Sequence, residues 1–415
     1  MRIVILAIGT LGDVLPYIAL GTGLKEDGHA TVIATHPSFK KTVSDYNLEF
    51  TPIEYPQGLM TGTDMLELVD AGGNFLSWMR KLSDLTGPIL RRLLDDCWQA
   101  CQQSETIVYS PFGWAGYHIA QKMGIPSYAA SLQPISRTRC FPAVWSPVGW
   151  RLGGCYNLTT YRAIEQVFWQ VFRKATNQWR QEVLELEPIR LNGPFNTPEW
   201  KQQPFLYGYS PSIIPRPSDW PEWLHVTGYW FLPSNNDWKP PEELEDFLDS
   251  GPPPVYIGFG SVPIHDQEGV MQIVTESLNR LGKRGILQIG RNEGSGRVSD
   301  NIFHAGWVPH EWLFPRMAAI VHHGGASTIA NGLRSGVPSV IIPFAWDQPF
   351  WGRRIEKLGV GPSPIPRRKL TVDNLAQAIT IATSNKQIAV NAAALGSRIR
   401  AEDGVARAVD IVSRH

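Results

Sequence analysis

Short, continuous apolar runs alternate with longer amphipathic stretches along this 415-residue chain. The first run, Arg2–Ile8, is apolar at almost every position, which predicts a strand covered on both faces. A Gly-containing turn follows, then a helical pattern from about Pro16 to Asp27, then a second strand at Ala30–Thr35. Thr106–Tyr109 and Ser127–Ala130 are further strands, and Asn74–Ser104 reads as helix. From Leu232 to Pro254 the pattern breaks. Pro, Asn, Asp and Glu dominate, with Pro240-Pro241 and Pro252-Pro253-Pro254, predicting a linker that holds a short acidic helix. Alternation then restarts with strands at Val255–Gly258, Ile286–Ile289, His304–Trp307, Ala319–His322 and Ser339–Pro343, and closes in a helical region from about Asn374 to His415. No tandem repeat at a solenoid period is present. The predicted class is α/β, with two doubly wound Rossmann-like domains at 1–235 and 255–395 and a linker at 236–254. A C-terminal helix at 396–415 is free to pack back on the first domain. Such sheets bind ligands at the carboxyl ends of their strands, so the expected site is a cleft faced by both sets of ends. Fold alone does not name the ligand.

Charge adds an exclusion. The 38 Lys and Arg balance 38 Asp and Glu, so the chain lacks the basic excess of a general nucleic-acid binder, and no nucleic-acid partner is expected. The first apolar run is too short for a secretory leader, and no apolar stretch is long enough to span a bilayer. The expectation is a cytoplasmic protein with no membrane-targeting segment ahead of its first strand, working as a monomer or weak dimer. Cys97, Cys101, Cys140 and Cys155 form no Cys-x-x-Cys pair and have no His cluster beside them, which predicts reduced packing residues and no metal site. The Trp-rich first half includes Trp78, Trp98, Trp114, Trp145, Trp150, Trp169 and Trp179, which either pack the core or wall an apolar ligand cleft. Within Asn74–Ser104, Phe75, Leu76, Trp78, Met79 and Leu82 lie beside Arg80, Lys81, Arg91 and Arg92. Such a helix usually packs on its own sheet; the alternative is peripheral contact with a membrane surface.

Candidate chemistry is densest between Gly306 and Gly361. Gly306-Trp307-Val308-Pro309 is followed by His322-His323-Gly324-Gly325-Ala326-Ser327-Thr328, then Gly336-Val337-Pro338, then Pro343-Phe344-Ala345-Trp346-Asp347-Gln348. A Gly-Gly loop between a strand and a helix lets backbone N–H groups approach an anion, and the helix N-terminus adds partial positive charge. His323 and Thr328 have donors for a diphosphate, Trp307 a flat indole for a base, and Asp347 and Gln348 the acceptors and donors that sugar hydroxyls need. Each signal alone has a bland explanation: a structural His, a common turn, a solvated loop.

In this order and spacing they resemble the donor-binding signature of the family 1 glycosyltransferases, which have the two-domain GT-B fold. Gly9-Thr10-Leu11-Gly12-Asp13-Val14-Leu15-Pro16 is similar to that family's N-terminal glycine loop. Leu206-Tyr207-Gly208-Tyr209-Ser210-Pro211, Trp220 and Gly228-Tyr229-Trp230 resemble the end of the first domain in sterol 3-β-glucosyltransferases, and Ser136-Arg137-Thr138-Arg139-Cys140-Phe141-Pro142 their acceptor-side segment. The resemblance implies that Trp307 stacks on uracil and Val308 contacts it through the backbone. Ser261, His323, Gly325, Ser327 and Thr328 would hold the diphosphate, and Asp347 and Gln348 the hexose. Gly12, Asn331 and Trp346 are further donor or acceptor contacts, and Trp78, Trp114, Arg137, Phe141 and Trp145 are candidates for the acceptor cleft. Asn331 stands where many plant members carry a Glu that holds the ribose, and Ser327 and Ile329 replace the Gly and Thr commoner in sterol-type members.

The implied reaction moves glucose from UDP-glucose to the hydroxyl of a lipophilic acceptor, a sterol or another natural-product aglycone, with inversion to a β-glycoside. UDP-glucose is then a co-substrate. No cofactor is expected, and the chain has no Asp-x-Asp motif for a metal. Asp13 is the candidate base, its other role being a helix cap; a base active at neutral pH needs burial to raise its pKa. His29 and His36 are read as structural. A UDP-sugar epimerase and a silent UDP-sugar binder are the more distant alternatives.

Overall fold

The structure, a computed structural model, describes residues 1–56, 75–146, 152–233, 238–260, 266–288 and 295–414, and for 75–86 and 88 the helix backbone alone. The chain divides into two compact units. One is Met1–Leu232 with Asp403–His415, the other Pro233–Glu402.

The first unit carries a parallel sheet in the order β3-β2-β1-β4-β5-β6-β7. Its strands are β1 (Arg2–Leu6), β2 (Ala30–Thr35), β3 (Glu49–Pro52), β4 (Thr106–Tyr109), β5 (Ser127–Ser131), β6 (Phe205–Tyr207) and β7 (Leu224–Val226). Ile3, Val4, Ile5 and Leu6 are all fully buried, which is why the first run is apolar without alternation. Helix α1 (Leu11–Glu26) starts well before the predicted Pro16. Thr10 is its N-cap, and the Asp13 carboxylate at N3 accepts from Thr10 N at 2.9 Å and Thr10 Oγ1 at 2.8 Å, half of a capping box. Pro16 therefore lies inside the helix, where its ring removes the N–H that would bond to the Gly12 carbonyl. Helices α2 (Phe75–Cys101), α3 (Ala115–Met123) and α4 (Gly154–Glu182) pack together. In the described half of α2, Leu90, Leu93, Leu94, Cys97 and Cys101 are buried, and Arg91 pairs with Asp95 and with Glu182 of α4. The side chains of Phe75 to Leu82, on which the membrane alternative rested, lie outside the described ones, as does all of Trp150.

The second unit has a sheet ordered β10-β11-β9-β8-β12-β13, parallel except for β10 against β11. The strands are β8 (Val255–Gly258), β9 (Gly285–Gln288), β10 (Gly296–Ser299), β11 (Ile302–His304), β12 (Ala319–His322) and β13 (Ser339–Ile341). Alternate residues of β8 and β12 enter two different cores. Val255, Ile257, Ala319 and Val321 join one, Tyr256 and Ile320 the other. Two covered faces again explain unbroken apolar runs. The predicted strand at His304–Trp307 lies earlier, because the chain leaves the sheet before Gly306. Helix α5 (Glu242–Asp249), inside the stretch read as linker, belongs to this unit. Leu244 and Phe247 are fully buried in the second core, each worth about 1.5–3 kcal/mol of burial. The remaining helices are α6 (Gln267–Leu281), α7 (Ala326–Ser335), α8 (Gln348–Leu358), α9 (Val372–Ser384), α10 (Lys386–Arg400) and α11 (Gly404–Ser413). The proposed boundary at 396 falls inside α10, and the chain leaves the second unit only after Glu402. Helix α11 packs on α1, with Gly23 seated against Val405 where no side chain would fit.

Candidate active site

Strand β12 ends at His322, His323-Gly324-Gly325 form the loop, and α7 starts on the next residue with Gly325 as N-cap. His322 Nδ1 accepts from Gly324 N at 3.2 Å, which fixes the bend of the loop. His323 is 8% exposed and its Nδ1 is buried with no hydrogen-bond partner among the described residues. Two glycines make room for its ring. Gly260, at φ +62°, has no space for a methyl, which would sit 2.9 Å from His323 Cε1, and a methyl on Gly325 would run into His323 Nε2. A buried imidazole nitrogen that is unpaired among the described residues, beside a helix N-terminus, is an arrangement able to take up an anion, because desolvated polar atoms are costly unless bonded. Ser327 and Thr328 lie partly exposed in the first turn of α7. Ser261 lies outside the described residues.

Burial holds several imidazoles neutral. His310 and His323 are both pushed down to about 4, with burial the main cause, and in the first unit His118 to about 3, by burial and by the neighbouring Arg180. His322 is also pushed far down by burial. An unfolded His titrates near 6.5, so between that value and about 4 the unfolded chain binds protons the folded chain refuses. Stability is therefore full above pH 6.5 and is lost as pH falls, by about 1.4 kcal/mol per pH unit for each such group. Thermal melts at pH 7, 6 and 5 should show the second unit, with three of these residues, losing stability faster than the first. The slope should be shallower in His323→Gln.

Trp307 and Val308 follow β11. Tyr256 Oη donates to Gln288 Oε1 at 2.6 Å and Gln288 Nε2 donates to the Gly306 carbonyl at 2.7 Å, a relay that pins the residue before Trp307. The Trp307 indole itself is 68% exposed, while Val308 is buried. Asn331 Nδ2 donates to the Ser327 carbonyl at 2.9 Å, one turn back on α7. Asp347 and Gln348 are both buried at the start of α8. Each has a structural task that the sequence did not reveal. Asp347 Oδ2 accepts from Trp351 Nε1 at 2.8 Å, and Gln348 Oε1 accepts from Phe344 N at 2.7 Å and Ala345 N at 3.1 Å. The turn carrying them abuts the anion loop, since a Cβ on Gly324 would lie 3.5 Å from Gln348 Cβ.

In the first unit the half-buried Asp13 has a capping role. It closes the capping box from N3, not as the N-cap itself, and Gly9 is a glycine because the Asp13 side chain occupies the space of its Cβ. Burial raises the Asp13 pKa, opposed by the two Thr10 hydrogen bonds. Tyr55 Oη holds the preceding loop by donating to Gly9 O at 2.9 Å, and Ser110 Oγ by accepting from Ile8 N at 3.1 Å. Gly12 lies in the first turn of α1.

A cavity of about 260 Å³ lies against the same sheet. Tyr109, Ala129, Phe205 and Leu224 are directly paired across β4 to β7, so they form one row of its wall. Tyr161, Ile164, Glu165 and Phe168 of α4 line it too. Trp114, Arg137 and Trp145 are all walls, as proposed for the acceptor; Phe141 is not among them, and Trp78 falls among the undescribed side chains. Trp114 packs on Phe168 and Phe172 with ring centroids 5.6 and 4.7 Å apart. Arg137 Nε donates to both Glu165 oxygens at 2.9 Å, giving a chiefly apolar cavity one paired polar edge. Burial nonetheless raises the Glu165 pKa. Sequence reasoning missed the α4 wall. Tyr161, Ile164, Phe168 and Phe172 at helical spacing are the signal that would have found it.

Two family models match the chain. The glycosyltransferase family 28 N-terminal domain matches residues 3–142, and the erythromycin biosynthesis protein CIII-like C-terminal domain residues 273–410. Sterol 3-beta-glucosyltransferase of Aspergillus fumigatus is 38% identical over 428 aligned residues that cover 100% of this chain. Its counterpart from Cryptococcus neoformans is 37% identical over 443, again covering 100%. The chain spans only 30% and 27% of the lengths of these relatives. The chain belongs to the GT-B glycosyltransferases. Solved structures share the fold: the glycotransferase of kitacinnamycin (TM-score 0.72, 22% identity, 100% of this chain and 98% of that one) and VinC in complex with DTDP (0.68, 18%, 100% and 99%). In this chain the second unit holds His323, Gly325, Ser327, Thr328, Asp347 and Gln348 around one loop and two helix starts. The first unit holds Asp13 and the aromatic cavity. Among the described residues no helix is long and apolar enough to cross a membrane.

Proposed function

We propose that the chain transfers glucose from UDP-glucose to the hydroxyl of a sterol, giving a β-glycoside. What carries the proposal is the aromatic cavity of the first unit in a chain aligned end to end with sterol 3-beta-glucosyltransferases. The diphosphate is held by the α7 N-terminus with His323, Ser327 and Thr328, and its leaving charge is met by these donors with no metal assigned a role. Trp307 stacks on uracil, and Asp347 with the Gln348 amide nitrogen takes hexose hydroxyls. Asp13 takes the proton from the acceptor hydroxyl as that oxygen attacks the anomeric carbon opposite the leaving group. The cavity receives the apolar rings of the acceptor.

The test is transfer of labelled glucose from UDP-glucose to cholesterol, ergosterol, a polyketide aglycone or no acceptor. Sterol glycoside from the wild type and none from Asp13→Asn is expected; glycoside only with the polyketide would replace the acceptor, and UDP binding with no glycoside would remove the transferase reading. Ala129→Leu narrows the cavity from its sheet wall and should raise the sterol KM about tenfold or more while UDP affinity is unchanged, with a thermal melt to verify folding.

A further inference from the structure

Trp346 is held in the left-handed region, φ +57°, a conformation that is rare for a side chain of its size and that glycine adopts freely. Its neighbours enforce this. Gln348 Oε1 clamps the N–H groups of Phe344 and Ala345, and Asp347 Oδ2 is tied to Trp351 Nε1, so the turn closes around Trp346. The indole is 40% exposed and, among the described residues, has no ring, hydrogen-bond or ionic partner. Backbone strain persists where the surrounding structure over-determines it, and it concentrates at ligand sites. The same turn borders the anion loop, where a Cβ on Gly324 would lie 3.5 Å from Gln348 Cβ.

We propose that Trp346 is a specificity-determining residue for the sugar of the donor: its indole covers the apolar C–H face of the hexose, while Asp347 and Gln348 Nε2 engage the hydroxyls at its edge. This rests on the donor reading above and divides the ligand in two. The His323 loop holds the diphosphate, and Trp346 acts only on what is attached to it. A large flat ring serves this purpose because it offers apolar area with little side-chain entropy to lose. Glycine would relax the turn and leave the hexose uncovered, so stability and sugar recognition oppose each other at this position.

Calorimetric titration with UDP and with UDP-glucose, alongside thermal melts, should be run on the wild type, Trp346→Gly, Trp346→Ala and Trp346→Phe. The Gly and Ala variants should keep UDP affinity within about twofold and bind UDP-glucose about tenfold more weakly, with Phe retaining most of the affinity. Only the Gly variant should gain stability, by about 2–4 °C in Tm. An unchanged ratio of UDP-glucose to UDP affinity in the Gly and Ala variants overturns the inference, as does an equal loss for both ligands, which would make Trp346 a support for the turn. A lower Tm for the Gly variant overturns the strain. Failure of the wild type to bind UDP would instead strike the donor reading itself.

Discussion

Asp13→Asn lowers kcat by about 10²–10⁴-fold, the usual contribution of a positioned general base, and leaves UDP affinity unchanged. Two features make this substitution informative. The amide is nearly the size of the carboxylate, so the space opposite Gly9 stays filled. The helix cap also survives. This chain already builds a second capping box with Asn at N3: Asn374 Oδ1 accepts from Thr371 N at 2.9 Å and Asn374 N donates to Thr371 Oγ1 at 3.3 Å at the start of α9. Loss of activity with an unchanged melt and unchanged UDP titration would therefore report proton transfer. Because burial raises the pKa of Asp13, the acid limb of kcat/KM should lie above the ordinary carboxylate range in the wild type. Activity should rise with pH through that limb, as the group must be ionised to accept a proton, and the limb should vanish in the variant. Undiminished turnover in Asp13→Asn would leave the residue as a cap alone.

The second large effect is on donor affinity. Removing a hydrogen bond to a charged ligand costs about 1.5–3 kcal/mol, so His323→Ala should weaken UDP binding by about 10–150-fold. Gly325→Ala should come close to the same loss without touching the imidazole chemically. Its new methyl takes the space of His323 Nε2, forcing the ring aside or the first turn of α7 to shift. If Gly325→Ala binds UDP as well as the wild type, the ring is not fixed by its neighbours and the anion site is misassigned. Isothermal titration of both variants decides this, and neither should alter the melting of the first unit.

The contrast between the two glycines around His323 shows what a sequence carries. Gly325 stands in a local motif whose strand, loop and helix start are consecutive, so the sequence alone singles it out. Gly260 meets the same ring from beyond the end of β8, and nothing near it in sequence points to His323. The same holds for the cavity. Its sheet wall is a row across four strands, and β6 and β7 are three residues each, too short to register as apolar runs. The candidate donor contacts on α7 and α8 could be nominated because each helix start comes after a strand within a local motif, whereas the structural hydrogen bonds of Gln348 and Asp347 depend on the shape of a turn. The left-handed Trp346 could not be read at all, because residue type argues against that conformation.

The return of α11 to the first unit sets a schedule for synthesis. Ala408, Val409 and Val412 are buried on that helix, and a methyl on Gly404 would strike the backbone of Gly228 and Tyr229. Everything from Pro233 to Glu402 is translated before α11, which takes roughly 10–30 s at about 5–20 residues per second. Throughout that interval the first unit, although made first, shows the apolar flank of α1 where α11 will lie. The first unit is thus completed only after the second has been translated.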